Sequence, residues 1–214
     1  MILPDPPLLV ITDRTQAAAR LSKIVTAVLN AGCRWISVRE KDLPDAEQFS
    51  LVQELLPLAH DFQAVLTLHG SIAVAQASGA GGVHLAADSN PSGARTVLGS
   101  SSLIGISVHG IEQLRTLDPV NVDYCIAGPV YASPSKPGYG PALGADGLRA
   151  LVSQARIPVI GIAGIEPDNV AEVIAAGAAG IAVMGGVMRA ADPGAHTRAL
   201  LEALAAARAQ LRAR

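Results

Sequence analysis

Eight short runs of β-branched and other apolar residues alternate with Ala-rich stretches of helical character, at a spacing of roughly 25 residues. No other feature of the chain limits its fold as strongly. The runs are Leu8–Thr12, Trp35–Arg39, Ala64–His69, Gly82–Leu85, Leu103–Ser107, Tyr124–Ala127, Val159–Ile162 and Gly180–Met184. Helices are expected over Thr15–Ala31, Asp45–His60, Ile72–Ser78, Ser92–Leu98, Ile111–Leu117, Asp146–Ala155, Pro167–Ala176 and Asp192–Arg212. Gly32, Gly79 and Gly177 follow helical runs, as C-terminal caps do. Strands that each lead into a helix must run parallel. A doubly wound open sheet is the competing architecture, but eight units whose first and last strands can meet favour a (β/α)₈ barrel, one α/β domain over residues 1–214.

Length and composition agree. The chain has 214 residues, half of them apolar, yet only 3% are aromatic. Its core must be built from Ala, Val, Ile and Leu, which suits layered parallel strands. The formal net charge of −2 argues against a nucleic-acid partner, which needs a basic face. The arginines of the last helix (Arg198, Arg208, Arg212, Arg214) read as a solvated helix end. Cys33 and Cys125 make neither a disulfide framework nor a metal-ligand set and read as core thiols. Without a signal-peptide pattern or a membrane-length apolar stretch, a cytoplasmic protein with no membrane partner is expected. The Ala-rich helix surface leaves room for a homodimer.

In a barrel of this kind, chemistry sits where the strands end at their C-terminal side. Gly164 follows the seventh strand, while Gly185 and Gly186 follow the eighth, where these barrels commonly hold phosphate on backbone N–H groups. Arg39 and Lys41 lie two apart at a strand end, so they share a side and suit an oxyanion. Glu40 between them points the other way, into a structural pairing. The loop Gly128–Gly144 packs four Gly and four Pro into 17 residues and carries Ser133, Ser135 and Lys136, two hydroxyls and one cation, with Pro137-Gly138 as a hinge. His109 lies two residues past Ser107 at the fifth strand's end, and an imidazole there can take and return a proton near neutral pH. His69 ends the third strand. His84 has no assigned role at this level.

Together these strings resemble the thiamin phosphate synthase superfamily, which also contains the thiazole tautomerases. The likeness rests on Val38-Arg39-Glu40-Lys41, Gly82-Val83-His84-Leu85, Gly105-Ile106-Ser107-Val108-His109, the segment Gly128 to Lys136, Ala163-Gly164-Ile165 and Ala182-Val183-Met184-Gly185, and spans nearly the whole chain. The resemblance implies a site in two halves. One holds a thiazole phosphate with Ser133, Ser135, Gly164 and the backbone of Met184 and Gly185. The other, in the synthases, holds a hydroxymethylpyrimidine diphosphate and Mg²⁺ with Arg39, Lys41, Ser107 and Lys136, an Asn-Asp pair and a further Asp. Here the Asn-Asp pair is His69-Gly70, Ser37 replaces the usual Gln, and Asp88 comes one position early.

The leading expectation is therefore a thiazole tautomerase, which aromatises a carboxythiazole phosphate by metal-independent proton transfer. His109 is its acid and base, and Ser107 orients that imidazole or the substrate. Arg39, Lys41, His69 and Lys136 join the phosphate-holding residues in binding the small phosphorylated thiazole, and no cofactor is needed. The alternatives are a divergent synthase that releases pyrophosphate, with Mg²⁺ on Asp88, and a non-catalytic thiazole-phosphate binder.

Overall fold

The computed structural model describes residues 2–133, 135 and 141–213. Eight parallel strands close into a barrel in chain order: β1 (Leu8–Ile11), β2 (Trp35–Val38), β3 (Val65–His69), β4 (Gly82–Leu85), β5 (Leu103–Val108), β6 (Tyr124–Ala127), β7 (Val159–Ile162) and β8 (Gly180–Val183). Closure is made by β8 on β1, with Leu8 opposite Ile181 and Val10 opposite Val183.

The two-residue period of a strand divides each strand between two cores. Leu8, Val10, Ile36, Val38, Cys125, Ala127 and Ile181 face outward and pack with the helices. Leu9, Ile11, Trp35, Leu103, Tyr124, Ile126, Ile160 and Ala182 fill the barrel interior. Trp35 and Tyr124 meet edge to face there, with centroids 4.8 Å apart, an arrangement that adds about 1 kcal/mol beyond burial. Both cysteines are buried free thiols, as expected. No described helix is long and apolar enough to cross a membrane.

The described helices are α1 (Leu21–Asn30), α2 (Asp45–Asp61), α3 (Ile72–Ser78), α4 (Pro91–Leu98), α5 (Ile111–Arg115), α6 (Gly144–Gln154), α7 (Val170–Ala175), α8 (Gly185–Met188) and α9 (Pro193–Arg212). Local chemistry sets their ends. The Ser71 hydroxyl caps α3 by accepting from the Val74 N–H, and Gly79 ends the helix in the left-handed region at φ +71°. Asp192 caps α9, with Pro193 in its first turn.

Three details differ from the sequence expectation. α1 begins at Leu21, not Thr15, because the Asp13 carboxylate takes the Thr15 N–H and hydroxyl and the Gln16 amide, and so folds that stretch into turns at the barrel rim. Pro167–Asn169 form a turn ahead of α7, held as the Asn169 side chain accepts from the Glu166 N–H and donates to the Gly164 carbonyl. The single turn α8, directly after β8, was not expected; it matters to the site because it brings Arg189 back over Gly185.

Candidate active site

A cavity of about 570 Å³ opens at the C-terminal ends of the strands, a size suited to small metabolites. The structure brings Arg39, Lys41, His69, Ser107, His109, Ser133, Ser135, Gly164, Met184 and Gly185 to its wall. Lys136 and the Pro137-Gly138 hinge lie outside the described residues. Asp88 is exposed in the turn after β4, away from the cavity wall.

The cationic side is built at the ends of β1 and β2. Arg39 and Lys41 continue the inward register of Trp35 and Ser37, so both face the cavity. Glu40 faces the other way and is only 2% exposed. Its carboxylate accepts from the Thr12 hydroxyl at 2.6 Å and from the Arg14 N–H at 2.9 Å. Burial nevertheless holds the Glu40 carboxyl above its usual range, against the opposing pull of those two hydrogen bonds. The Thr12 hydroxyl also accepts from the Arg39 N–H at 3.0 Å, so the segment carrying both cations is tied to β1.

Across the cavity lie the glycine loops. Ala163 and Gly164 both adopt positive φ, +78° and +63°. A non-glycine residue held there is a local strain of the kind found at ligand sites. A Cβ on Gly164 would sit 2.5 Å from the Ala132 carbonyl oxygen. One on Gly185 would meet the Ser135 hydroxyl and the Arg189 guanidinium, and these side-chain ends would have to move aside. Arg189 Nη1 donates to Ser135 Oγ at 3.0 Å and to Gln16 Oε1. Gln16 in turn donates through Nε2 to Asp13 at 2.5 Å, which turns its carbonyl oxygen toward the arginine. Burial works to raise the Asp13 carboxyl, but the hydrogen bonds from Thr15 and Gln16 outweigh it and hold that carboxyl below its usual range. Sequence reasoning missed Arg189 and Gln16. The available signal was Arg189 four residues beyond Gly185, one helical turn away.

Between the two sides, β3, β4 and β5 present His69, His84 and Ser107. His84 is 1% exposed. Its Nε2 lies 3.0 Å from Ser107 Oγ and its Nδ1 lies 3.2 Å from the Tyr124 hydroxyl. The His69 and His84 rings are 4.8 Å apart. Burial, with the cations of Lys41 and Arg39 nearby, pushes the His84 pKa down to about 3, so the imidazole is neutral at physiological pH. Ser107 thus has its hydrogen bond with His84. His109 stands exposed on the rim, its backbone N–H donating to Gln113 Oε1 at 2.8 Å.

The synthase arm of the resemblance implies Mg²⁺. A Mg²⁺ site draws on hard oxygen donors, usually one or two carboxylates plus substrate phosphate. Position 70 is glycine, His69 offers only nitrogen, Glu40 is engaged by Thr12 and Arg14, and Asp88 stands alone in solvent. Among the described residues no group of three or more His, Cys, Asp or Glu side chains is disposed to hold a metal ion. These donors do not fit a Mg²⁺ site.

The sequence pattern of the family described as thiamine monophosphate synthase matches residues 8–187. A putative thiamine-phosphate synthase of Geobacter sulfurreducens is 40% identical over 202 residues, 94% of this chain and 95% of the relative. A thiamine-phosphate synthase of Roseiflexus sp. is 40% identical over 200 residues, 92% and 85% of the two chains. The solved thiamine phosphate pyrophosphorylase of Pyrococcus furiosus superposes with a TM-score of 0.83 at 30% identity, over 94% of this chain and 96% of that one. With its family pattern matched over residues 8–187 and a relative 40% identical over 94% of the chain, this protein belongs to the thiamine monophosphate synthase family.

Proposed function

We propose that this chain is a thiamine-phosphate synthase, a transferase that joins a hydroxymethylpyrimidine diphosphate to a thiazole phosphate and releases pyrophosphate. The observation that carries the reading is one cavity with two anion-suited walls, Arg39 and Lys41 on one and the Gly164, Gly185, Ser135 and Arg189 corner on the other, in a chain 40% identical, over 85% of the relative's length, to a protein named thiamine-phosphate synthase. In the reaction the bond from the pyrimidine's methylene carbon to the diphosphate oxygen breaks. The thiazole nitrogen bonds to that carbon, and the pyrophosphate leaves with the electron pair. Arg39 and Lys41 meet the charge that gathers on the leaving group, with the Ser107 hydroxyl donating to it. The glycine corner and Arg189 hold the thiazole phosphate so that its nitrogen faces the carbon under attack. This replaces the tautomerase as the leading reading, because the relatives support the transferase better.

A specific observation keeps the tautomerase as the second reading. Gly70 and the isolated Asp88 deprive the diphosphate side of its metal donors, while His109 lines the cavity as an exposed imidazole able to move a proton. Incubation with both thiamin precursors, and separately with carboxythiazole phosphate, each with and without Mg²⁺, decides between them. Stoichiometric pyrophosphate and thiamin phosphate support the transferase. Isomerisation of carboxythiazole phosphate without any pyrophosphate release overturns it in favour of the tautomerase.

A further inference from the structure

Tyr124 lies at the centre of the barrel, fully buried, on the strand next to Ser107. Its ring crosses the interior because position 105, opposite it on β5, has no side chain; a Cβ on Gly105 would overlap the Tyr124 ring. The phenol therefore reaches His84 Nδ1, and His84 Nε2 reaches Ser107 Oγ on the cavity wall. Among the described residues, His84 is the hydrogen-bond partner of both hydroxyls.

Proton bookkeeping selects one arrangement of this chain. If His84 carried its proton on Nδ1, that N–H would donate to the tyrosine oxygen, and the buried tyrosine O–H would have no acceptor among the described residues. A buried donor without an acceptor is costlier than an unused lone pair. With the proton on Nε2, Tyr124 donates to Nδ1, His84 donates to Ser107, and both buried donors of this relay are used. The Ser107 oxygen is then occupied from below, and its own proton, with no other acceptor among the described residues, points into the cavity.

We infer that Tyr124 and His84 are positioning residues that fix Ser107 as a hydrogen-bond donor aimed into the cavity, ready for an anionic oxygen. The inference rests on the transferase reading only in naming diphosphate as that anion. The relay explains why a histidine is buried here while remaining neutral: a charged imidazole would donate at both nitrogens and turn the Tyr124 proton away. It also makes the wall selective, since a hydroxyl held as a donor favours anions over groups that themselves need an acceptor.

Nitrogen NMR of the labelled protein, with His84 assigned by substitution, reads the tautomer directly. The expected result between pH 5 and 8 is a protonated Nε2 and an unprotonated Nδ1; a protonated Nδ1 overturns the inference. Calorimetric titration with inorganic pyrophosphate gives the second readout. Ser107→Ala should weaken binding about tenfold and Tyr124→Phe about fivefold, with Ser107→Thr restoring most of the loss. In the Ser107→Ala background, Tyr124→Phe should add less than about twofold. A Tyr124→Phe effect that persists undiminished there overturns the relay. A wild-type protein with the expected tautomer that binds neither pyrophosphate nor phosphate supports the relay and overturns the anion reading of the cavity instead.

Discussion

The Thr12 hydroxyl donates to Glu40 Oε1 at 2.6 Å across the top of the β1–β2 pair, in a buried contact that also aligns the Arg39 N–H. Replacing Thr12 with Val keeps the shape and removes the hydroxyl. Unfolding in urea should show a loss of about 1–3 kcal/mol, because Glu40 loses a donor while remaining buried. Thr12→Ser should recover most of it. A loss no larger for Val than for Ser would show that the hydroxyl has little part in stability.

Glu40 also predicts a direction of pH dependence. Burial raises its folded-state pKa above the ordinary value of 4.5, outweighing the bonds from Thr12 and Arg14. The folded protein then binds this proton more readily than the unfolded chain. Its contribution is fully present below about pH 4.5 and is lost as the pH rises through the raised folded value. Wild-type stability, measured relative to Glu40→Gln, should fall over that rise. A difference that does not change with pH would remove Glu40 as the source.

Gly185→Ala places a methyl group against Ser135 and Arg189. Inorganic phosphate and thiazole phosphate should each bind at least about tenfold more weakly, with circular dichroism unchanged. Arg189→Ala should weaken phosphate by a similar factor through loss of a charge-assisted hydrogen bond. If titration shows either variant binding phosphate as the wild type does, the glycine corner is not the phosphate site.

His109→Ala separates the two reactions. Removal of a proton-transferring imidazole should cost carboxythiazole isomerisation about 10²–10⁴-fold. Pyrophosphate release from the two thiamin precursors should change less than about tenfold, because no proton need pass through His109 in that displacement. Parallel rate measurements on one preparation make the comparison.

The barrel was legible because short apolar runs such as Trp35–Val38 and Tyr124–Ala127, buried on both faces, alternate with helical stretches in the order that a parallel sheet requires. The two-residue repeat of a strand assigns Arg39 and Lys41 to one side and Glu40 to the other. Contacts between residues distant in sequence were not legible. Arg189 and Gln16 are 173 positions apart, and His84 finds Tyr124 40 positions away. Nothing local to His84 shows that its strand turns it inward beneath a serine. The early start expected for α1 failed for a local reason: helix propensity after Thr15 is overridden by the carboxylate of Asp13.

The space left at Gly105 couples two positions that share no chemistry. While Tyr124 crosses the barrel, any side chain at 105 strikes its ring. Without that tyrosine, residue 105 is free to grow and refill the barrel. Mutational drift through this pair is therefore ordered. The ring must shrink before the glycine can change, and the first step already removes the hydroxyl that orients His84. A lineage that repacks this layer with aliphatic side chains gives up control of the Ser107 proton in the same step, so an ordinary core substitution here changes how the cavity meets an anion.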